Sequence, residues 1–281
     1  MDSLVTTAWL AGELGAPDLR VLDGTWHMPQ LQRDARREFA EAHIPGAVFF
    51  DIDRIADTSA ALPHMLPSPE VFAATAGALG IGDGDRVVVY DARGVVSAAR
   101  VWWTFRAFGH DRVAVLDGGL RKWRAEGRPL ASGEPPPVPR RFTARYRAEL
   151  VRDLASVRAN LAAPREQVVD ARSQGRFAGT EPEPRAGLRG GHMPGSLNVP
   201  YEGLYQEDGT LLPPGALRDV FAGAGVRQGM PIVTSCGSGI TACVLALGLH
   251  RIGRDDVAVY DGSWTEWGGR PDTPVEGAAR R

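Results

Sequence analysis

The sequence predicts an α/β fold of two tandem domains, each a mainly parallel sheet flanked by helices. Three observations predict it. First, the chain is written twice: "LRVLDGTW" (19–26), "AHIPGAVFF" (42–50) and "RVAVLDGGLRKWRAEGRPL" (112–130) return in the same order as "EQVVDARS" (166–173), "GHMPGSLNV" (191–199) and "DVAVYDGSWTEWGGRPDTP" (256–274). Three echoes in register indicate a duplicated domain. Second, the apolar runs are short and almost unbroken, as in strands buried on both faces of a parallel sheet. Third, those runs alternate with longer helical stretches, the pattern of strand–helix–strand units.

In the first copy, an apolar strand ends at Asp23. Further strands are expected at "RVVVYDA" (86–92) and "VAVLDG" (113–118), with "VSAARVWWTFRAFG" (96–109) as the helix between them. In the second copy a strand ends at Asp170, and "PIVTSC" (231–236) and "VAVYDG" (257–262) bracket the helix "ITACVLALGLHRIG" (240–253). Between the copies lies "ASGEPPPVPRRF" (131–142), a proline-rich stretch suited to an extended connection. The domains are therefore expected at 1–140 and 141–281. Both copies place a histidine in a His-x-Pro-Gly turn, His43 and His192, which suggests a structural role. Trp102 and Trp103 on the apolar helix read as core.

Composition narrows the partners. A net charge of -2, with 23% charged residues, offers no footprint for nucleic acid or an anionic membrane. No apolar run approaches a membrane span, and the start of the chain lacks the basic and apolar regions of an export signal. The two cysteines, Cys236 and Cys243, lie on one stretch and are poor disulfide partners. No Cys/His set suggests a metal. A cytoplasmic protein in a reducing environment is expected.

The chemistry concentrates in "IVTSCGSGITACVLAL" (232–247), where Cys236 sits at the carboxyl end of a strand. In parallel sheets that end is where ligands bind. Free cysteine is often simply core, and Cys243, inside the apolar helix, reads that way. Around Cys236, Gly237 and Gly239 permit backbone angles that turn N–H groups inward, and Ser238 and Thr241 add hydroxyls. Ile240 completes the loop, Thr241 is placed to serve the helix start, and the helix N-terminus favours negative charge. Together these features should favour the thiolate. Superposing the copies puts Asp91 at the position of Cys236, so the first copy lacks the nucleophile. A phosphatase of the Cys-x5-Arg type would need an arginine where Ala242 stands, and none occurs after the cysteine until Arg251. A cysteine protease would need a histidine base, which spacing neither places nor excludes.

These residues, together with "RDARREFAEAHIPGAVFFDID" (33–53), "HMLPSPEVFA" (64–73), "RVWWTFRAFGH" (100–110), "GRFAGTEPEPRAGLRGGHMPG" (175–195) and "YDGSWTEW" (260–267), resemble the two-domain rhodanese-type sulfurtransferases along nearly the whole chain. Within them the likeness is closer to the 3-mercaptopyruvate branch. Thiosulfate-using members have basic residues directly after the cysteine, whereas Gly237 and Ser238 are neutral. The resemblance implies a Cys236 persulfide, 3-mercaptopyruvate as donor and pyruvate as product. The acceptor would be a thiol such as thioredoxin or a small thiol, or cyanide in an assay, with no metal or organic cofactor. It implies that Arg176 and Arg185 bind the donor's carboxylate and carbonyl. The residues alone favour a plainer reading, in which both arginines pair with Glu181 and Glu183 on a solvated loop, and the resemblance reverses it. It further implies a relay of Asp53, His64 and Ser238, in which the first domain reaches toward the second. A histidine in a proline-flanked loop can also be purely structural. A thiosulfate sulfurtransferase and a sulfur-relay or regulatory module remain the alternatives.

Overall fold

The computed structural model describes residues 1–134 and 136–277. The chain divides into two compact units. One comprises Met1–Thr58, Leu66–Arg147 and Gln206–Leu211; the other comprises Ser59–Met65, Ala148–Tyr205 and the chain from Leu212 on. The expected boundary at residue 140 is therefore corrected to Arg147. Beyond the prolines the connection packs on the first unit: Arg140 N–H donates to Gly77 O (2.9 Å), Arg145 N–H to Phe108 O (2.8 Å) and Arg147 N–H to Ala107 O (2.8 Å). Phe142 meets the edges of Phe72 and Phe105.

The first unit contains strands β1 (Leu4–Val5), β2 (Leu19–Asp23), β3 (Ala47–Phe49), β4 (Arg86–Tyr90) and β5 (Val113–Leu116). Its helices are α1 (Thr7–Glu13), α2 (Ala35–Glu41), α3 (Pro69–Ala78), α4 (Ser97–Ala107) and α5 (Gly119–Ala125). The second contains β6 (Val151–Arg152), β7 (Gln167–Asp170), β8 (Leu197–Asn198), β9 (Ile232–Ser235) and β10 (Val257–Tyr260). Its helices are α6 (Leu154–Ala162), α7 (Gln174–Ala178), α8 (Pro214–Gly223), α9 (Ala242–Arg251) and α10 (Ser263–Trp267). The sheet orders are β1-β5-β4-β2-β3 and β6-β10-β9-β7-β8, and every pairing is parallel. The duplication read from the sequence is thus a duplicated topology. The strand runs end one or two residues earlier than expected, because Asp91 and Cys236 already belong to the loops.

The cores follow from the apolar patterning. All residues of β5, β7, β9 and β10 are buried, as are ten residues of α4 and eight of α9, Cys243 among them. Trp102 and Trp103 are buried, each with an arginine over its ring, Arg106 at 4.9 Å and Arg100 at 4.6 Å. His43 stacks on Phe39 and His192 on Phe177, at centroid distances of 4.2 and 3.8 Å. Each ring bonds through Nδ1 to the carbonyl of the residue it stacks on. Each histidine also makes an antiparallel bridge, His43 to Ala131 and His192 to Glu276. Among the described residues no helix is long and apolar enough to cross a membrane.

In both sheets the order reverses between the strand pair β2/β4 or β7/β9, and the crevice beyond their carboxyl ends is the expected ligand position. Asp23 and Asp91 flank it in the first unit, Asp170 and Cys236 in the second.

Candidate active site

Cys236 follows β9 directly and is 1% exposed. Its Sγ accepts the Gly239 N–H at 3.1 Å, and Gly239 reaches that geometry at φ 79°, a left-handed angle that glycine adopts without strain. Gly239 O in turn accepts the Cys243 thiol at 3.2 Å, so the core cysteine fixes the loop that presents Cys236. From the other side α10 holds the loop. Trp264 N–H donates to Cys236 O (2.9 Å), and Thr265 donates both N–H (2.8 Å) and Oγ1–H (2.6 Å) to Gly237 O. Ser263 Oγ accepts the Cys236 N–H at 3.2 Å while donating to Tyr260 O at 2.8 Å. Ser263 does this at φ 48°, a strained angle for a residue with a Cβ.

The first unit explains what such a loop is built to hold. There Asp91 Oδ1 accepts the N–H groups of Arg93 and Gly94 (both 2.8 Å), and Oδ2 those of Val96 (2.7 Å) and Ala98 (2.9 Å). Leu120 N–H donates to Asp91 O at 2.9 Å, matching Trp264 and Cys236. The loop before α4 is therefore an anion cradle filled by its own carboxylate. In the second unit the Gly239 N–H, equivalent to Gly94, points at sulfur. Thr241 stands at the N-cap of α9, but its side chain makes no capping bond, contrary to the expected helix-start role. The α9 N-terminus thus opens onto the cysteine loop, where its dipole favours negative charge.

Gly237 serves a different purpose from the one expected. It is absent from the positive-φ glycines. A Cβ there would instead meet Arg176 Nη2 at 3.1 Å and Arg185 Nη1 at 3.8 Å. Both guanidiniums thus lie over the residue after the cysteine, and glycine makes room for them. Arg176 is held by Glu183, through Nη2 to Oε2 (2.6 Å) and Nε to Oε1 (3.3 Å). Of the pairings expected on a solvated loop, this one forms in a buried setting: the Glu183 side chain is 2% exposed. Glu181 accepts from Ser173 Oγ instead. Arg185 Nη2 donates to His64 Nε2 at 3.4 Å. A guanidinium can only donate, so that nitrogen of His64 is the acceptor in this contact. His64 is buried at φ 63° in the segment Ser59–Met65, which belongs to the second unit. Asp53 is exposed in the first unit and accepts from Trp26 Nε1 at 3.0 Å. Ser238 and Ile240 are buried within the loop, at 6% and 3% exposure.

Two contributors escaped the sequence reading. Arg172, fully buried, donates to Asp170 through Nε and Nη2 (2.7–3.1 Å), to Gly191 O (2.8 Å) and to Glu183 Oε1 (2.8 Å). Its guanidinium lies 4.1 Å from the Trp264 ring centroid. Burial opposes its charge, but Asp170 and Glu183 outweigh that and hold it above its ordinary value. Asp170, Arg172, Glu183 and Arg176 form a chain of alternating charge from the sheet end to the cysteine loop. Ser263 is the second; its signal was available in the contrast of "DGGL" with "DGSW" between the copies.

The family profile of the rhodanese-like domain matches residues 6–126 and 153–270. The chain belongs to the rhodanese family. It is 48% identical to human 3-mercaptopyruvate sulfurtransferase over 94% of this chain and 91% of that one. It is 47% identical to the mitochondrial thiosulfate/3-mercaptopyruvate sulfurtransferase 1 of Arabidopsis thaliana, over 98% of this chain and 78% of that one. The crystal structure of SseA from Escherichia coli, a 3-mercaptopyruvate sulfotransferase, superposes with a TM-score of 0.86 at 38% identity, covering 94% of this chain and 99% of that one. Of the two rhodanese domains, the second carries the thiol and the first the carboxylate of Asp91.

Proposed function

We propose that this rhodanese takes sulfur from 3-mercaptopyruvate onto Cys236 and passes it to a thiol acceptor. The observation that carries the reading is the pair of guanidiniums, Arg176 and Arg185, over Gly237 beside a neutral loop. A planar guanidinium suits a carboxylate, and two of them can hold a carboxylate and an adjacent carbonyl oxygen together. A loop whose residues after the cysteine are glycine and serine adds no side-chain cation for a dianion such as thiosulfate.

In the proposed reaction, the Cys236 thiolate attacks the donor's thiol sulfur and the donor's carbon–sulfur bond breaks. Its electron pair forms the enolate of pyruvate, stabilised on oxygen by Arg176 and Arg185. The proton of the donor thiol passes to the enolate carbon, leaving pyruvate and a Cys236 persulfide anion. An acceptor thiol, of a small molecule or of a protein such as thioredoxin, then gives up its proton and takes the outer sulfur, and the Cys236 thiolate returns. The loop N–H groups hold the negative charge on sulfur, as the first domain's loop holds its carboxylate. A proton path through Ser238, His64 and Asp53 belongs to the same proposal. We place the protein in the cytoplasm, where the thiols of Cys236 and Cys243 stay reduced.

Intact-mass measurement after adding 3-mercaptopyruvate tests the carrier: a gain of one sulfur atom is expected, and none in Cys236→Ser. Steady-state turnover with each donor tests the substrate. Faster turnover of thiosulfate than of 3-mercaptopyruvate refutes the donor assignment.

A further inference from the structure

The first domain keeps a cavity beside the residues that match Asp170, Gly191 and Trp264 of the second. It lies at the carboxyl ends of β2 and β4, has a volume of about 460 Å³, and is lined by Asp23, Thr25, Ala42, Leu120, Arg121 and Arg124 among others. The repeat explains why it is open. Thr25 stands where the second domain has Arg172, and Leu120 where it has Trp264, so a guanidinium and the indole beneath it are replaced by two smaller side chains. What remains is the acceptor set. Asp23 is the counterpart of Asp170, which binds the Arg172 guanidinium. Ala42 is the counterpart of Gly191, whose carbonyl accepts from that guanidinium.

Asp23 is 2% exposed and accepts the Thr25 N–H at 2.9 Å, with further hydrogen bonds to the Thr25 and Tyr90 hydroxyls. Among the described residues no arginine or lysine pairs with it. Burial pushes its carboxyl up to about 6, so at neutral pH it is charged at a cost that a cation would relieve. Ala42 O already accepts a guanidinium N–H, from exposed Arg124 at 3.3 Å. Arg33, also in the lining, is bound to Glu38 through two bonds of 2.7 Å. Among the described residues Arg121 has no such partner, and it is exposed.

We propose that this cavity binds a small guanidinium-bearing amino acid, with its guanidinium on Asp23 and its carboxylate between Arg121 and Arg124. The ligand's cation restores the carboxylate–guanidinium pair that the second domain makes internally. The two arginines meet the opposite charge at its other end. The site is separate from Cys236 and adds a ligand-binding role to the domain without the nucleophile.

Titration calorimetry of the full chain with L-arginine, L-citrulline and agmatine tests this. Saturable L-arginine binding is expected with a Kd of about 1 mM or tighter. L-Citrulline, of the same shape without the side-chain charge, should bind at least roughly tenfold more weakly. Agmatine, which lacks the carboxylate, should also bind more weakly than L-arginine. Asp23→Asn should abolish binding. Arg121→Glu, at an exposed position that leaves the fold intact, should weaken L-arginine and not agmatine. Absence of L-arginine binding at about 10 mM, equal binding of citrulline, or unchanged L-arginine affinity in Arg121→Glu overturns the proposal.

Discussion

Replacing Glu183 by glutamine tests whether the buried charge chain organises the site. Glu183 is 2% exposed and is shared by Arg172 Nη1 at 2.8 Å and Arg176 Nη2 at 2.6 Å. Removing one partner of a buried pair costs roughly 3–5 kcal/mol. Two features set the lower end here. Arg172 keeps its bonds to Asp170 and Gly191, and the Arg176 side chain, 22% exposed, can take water in place of the carboxylate. A loss of about 3 kcal/mol is expected, which for a chain of this size lowers Tm by roughly 10 °C. Arg176 would also lose its anchor over Gly237, and one misplaced charge-assisted hydrogen bond corresponds to about a tenfold rise in KM for 3-mercaptopyruvate. Urea unfolding and steady-state kinetics measure the two effects. Glu181→Gln is the control: that exposed carboxylate accepts from Ser173 Oγ at the surface, so a change within about 0.5 kcal/mol is expected. If Glu183→Gln loses less than about 1 kcal/mol and keeps the wild-type KM, the chain does not organise the site.

Gly237→Ala should fold normally, since its new methyl meets only the ends of flexible arginines, yet it should raise KM for 3-mercaptopyruvate more than it lowers kcat. Asp91→Asn places an amide against N–H donors that a carboxylate now accepts; unfolding measurements should show a loss of about 3 kcal/mol. Asp23 gives a pH signature. Its folded pKa of about 6 lies above the ordinary carboxylate value, so its favourable contribution is present below about pH 4 and is lost as pH rises through 6. Asp23→Asn should flatten that fall, of about 3 kcal/mol, in denaturation midpoints measured from pH 4 to 7.

The fold and the loop that presents Cys236 were legible in the sequence because both are written locally. The alternation of apolar runs and helices marks the parallel sheets, and the repeat reports that one architecture occurs twice. Cys236 could be singled out because strand, glycines and helix start are contiguous around it, and because Asp91 occupies the same frame. The boundary was misplaced because proline content describes the connection's stiffness but not what its far end packs against. Gly237 was misread for a similar reason. Its residue type signals either an unusual φ or a close approach, and only the position of Arg176 and Arg185 separates the two.

By itself the sequence determined the class of each domain, the duplication, and the loop that carries the thiol. The charge chain from Asp170 to Arg176 was decided by tertiary structure. Arg172 and Glu183 are eleven residues apart along a loop with no periodicity, and they meet only because the loop after β7 folds back over the sheet end. The same holds for Ser263, whose hydroxyl reaches Cys236 N–H across twenty-seven residues at a backbone angle that no local pattern encodes. Patterning specifies which face of a strand or helix is buried. Which buried polar groups then satisfy one another depends on the packing that brings the loops together.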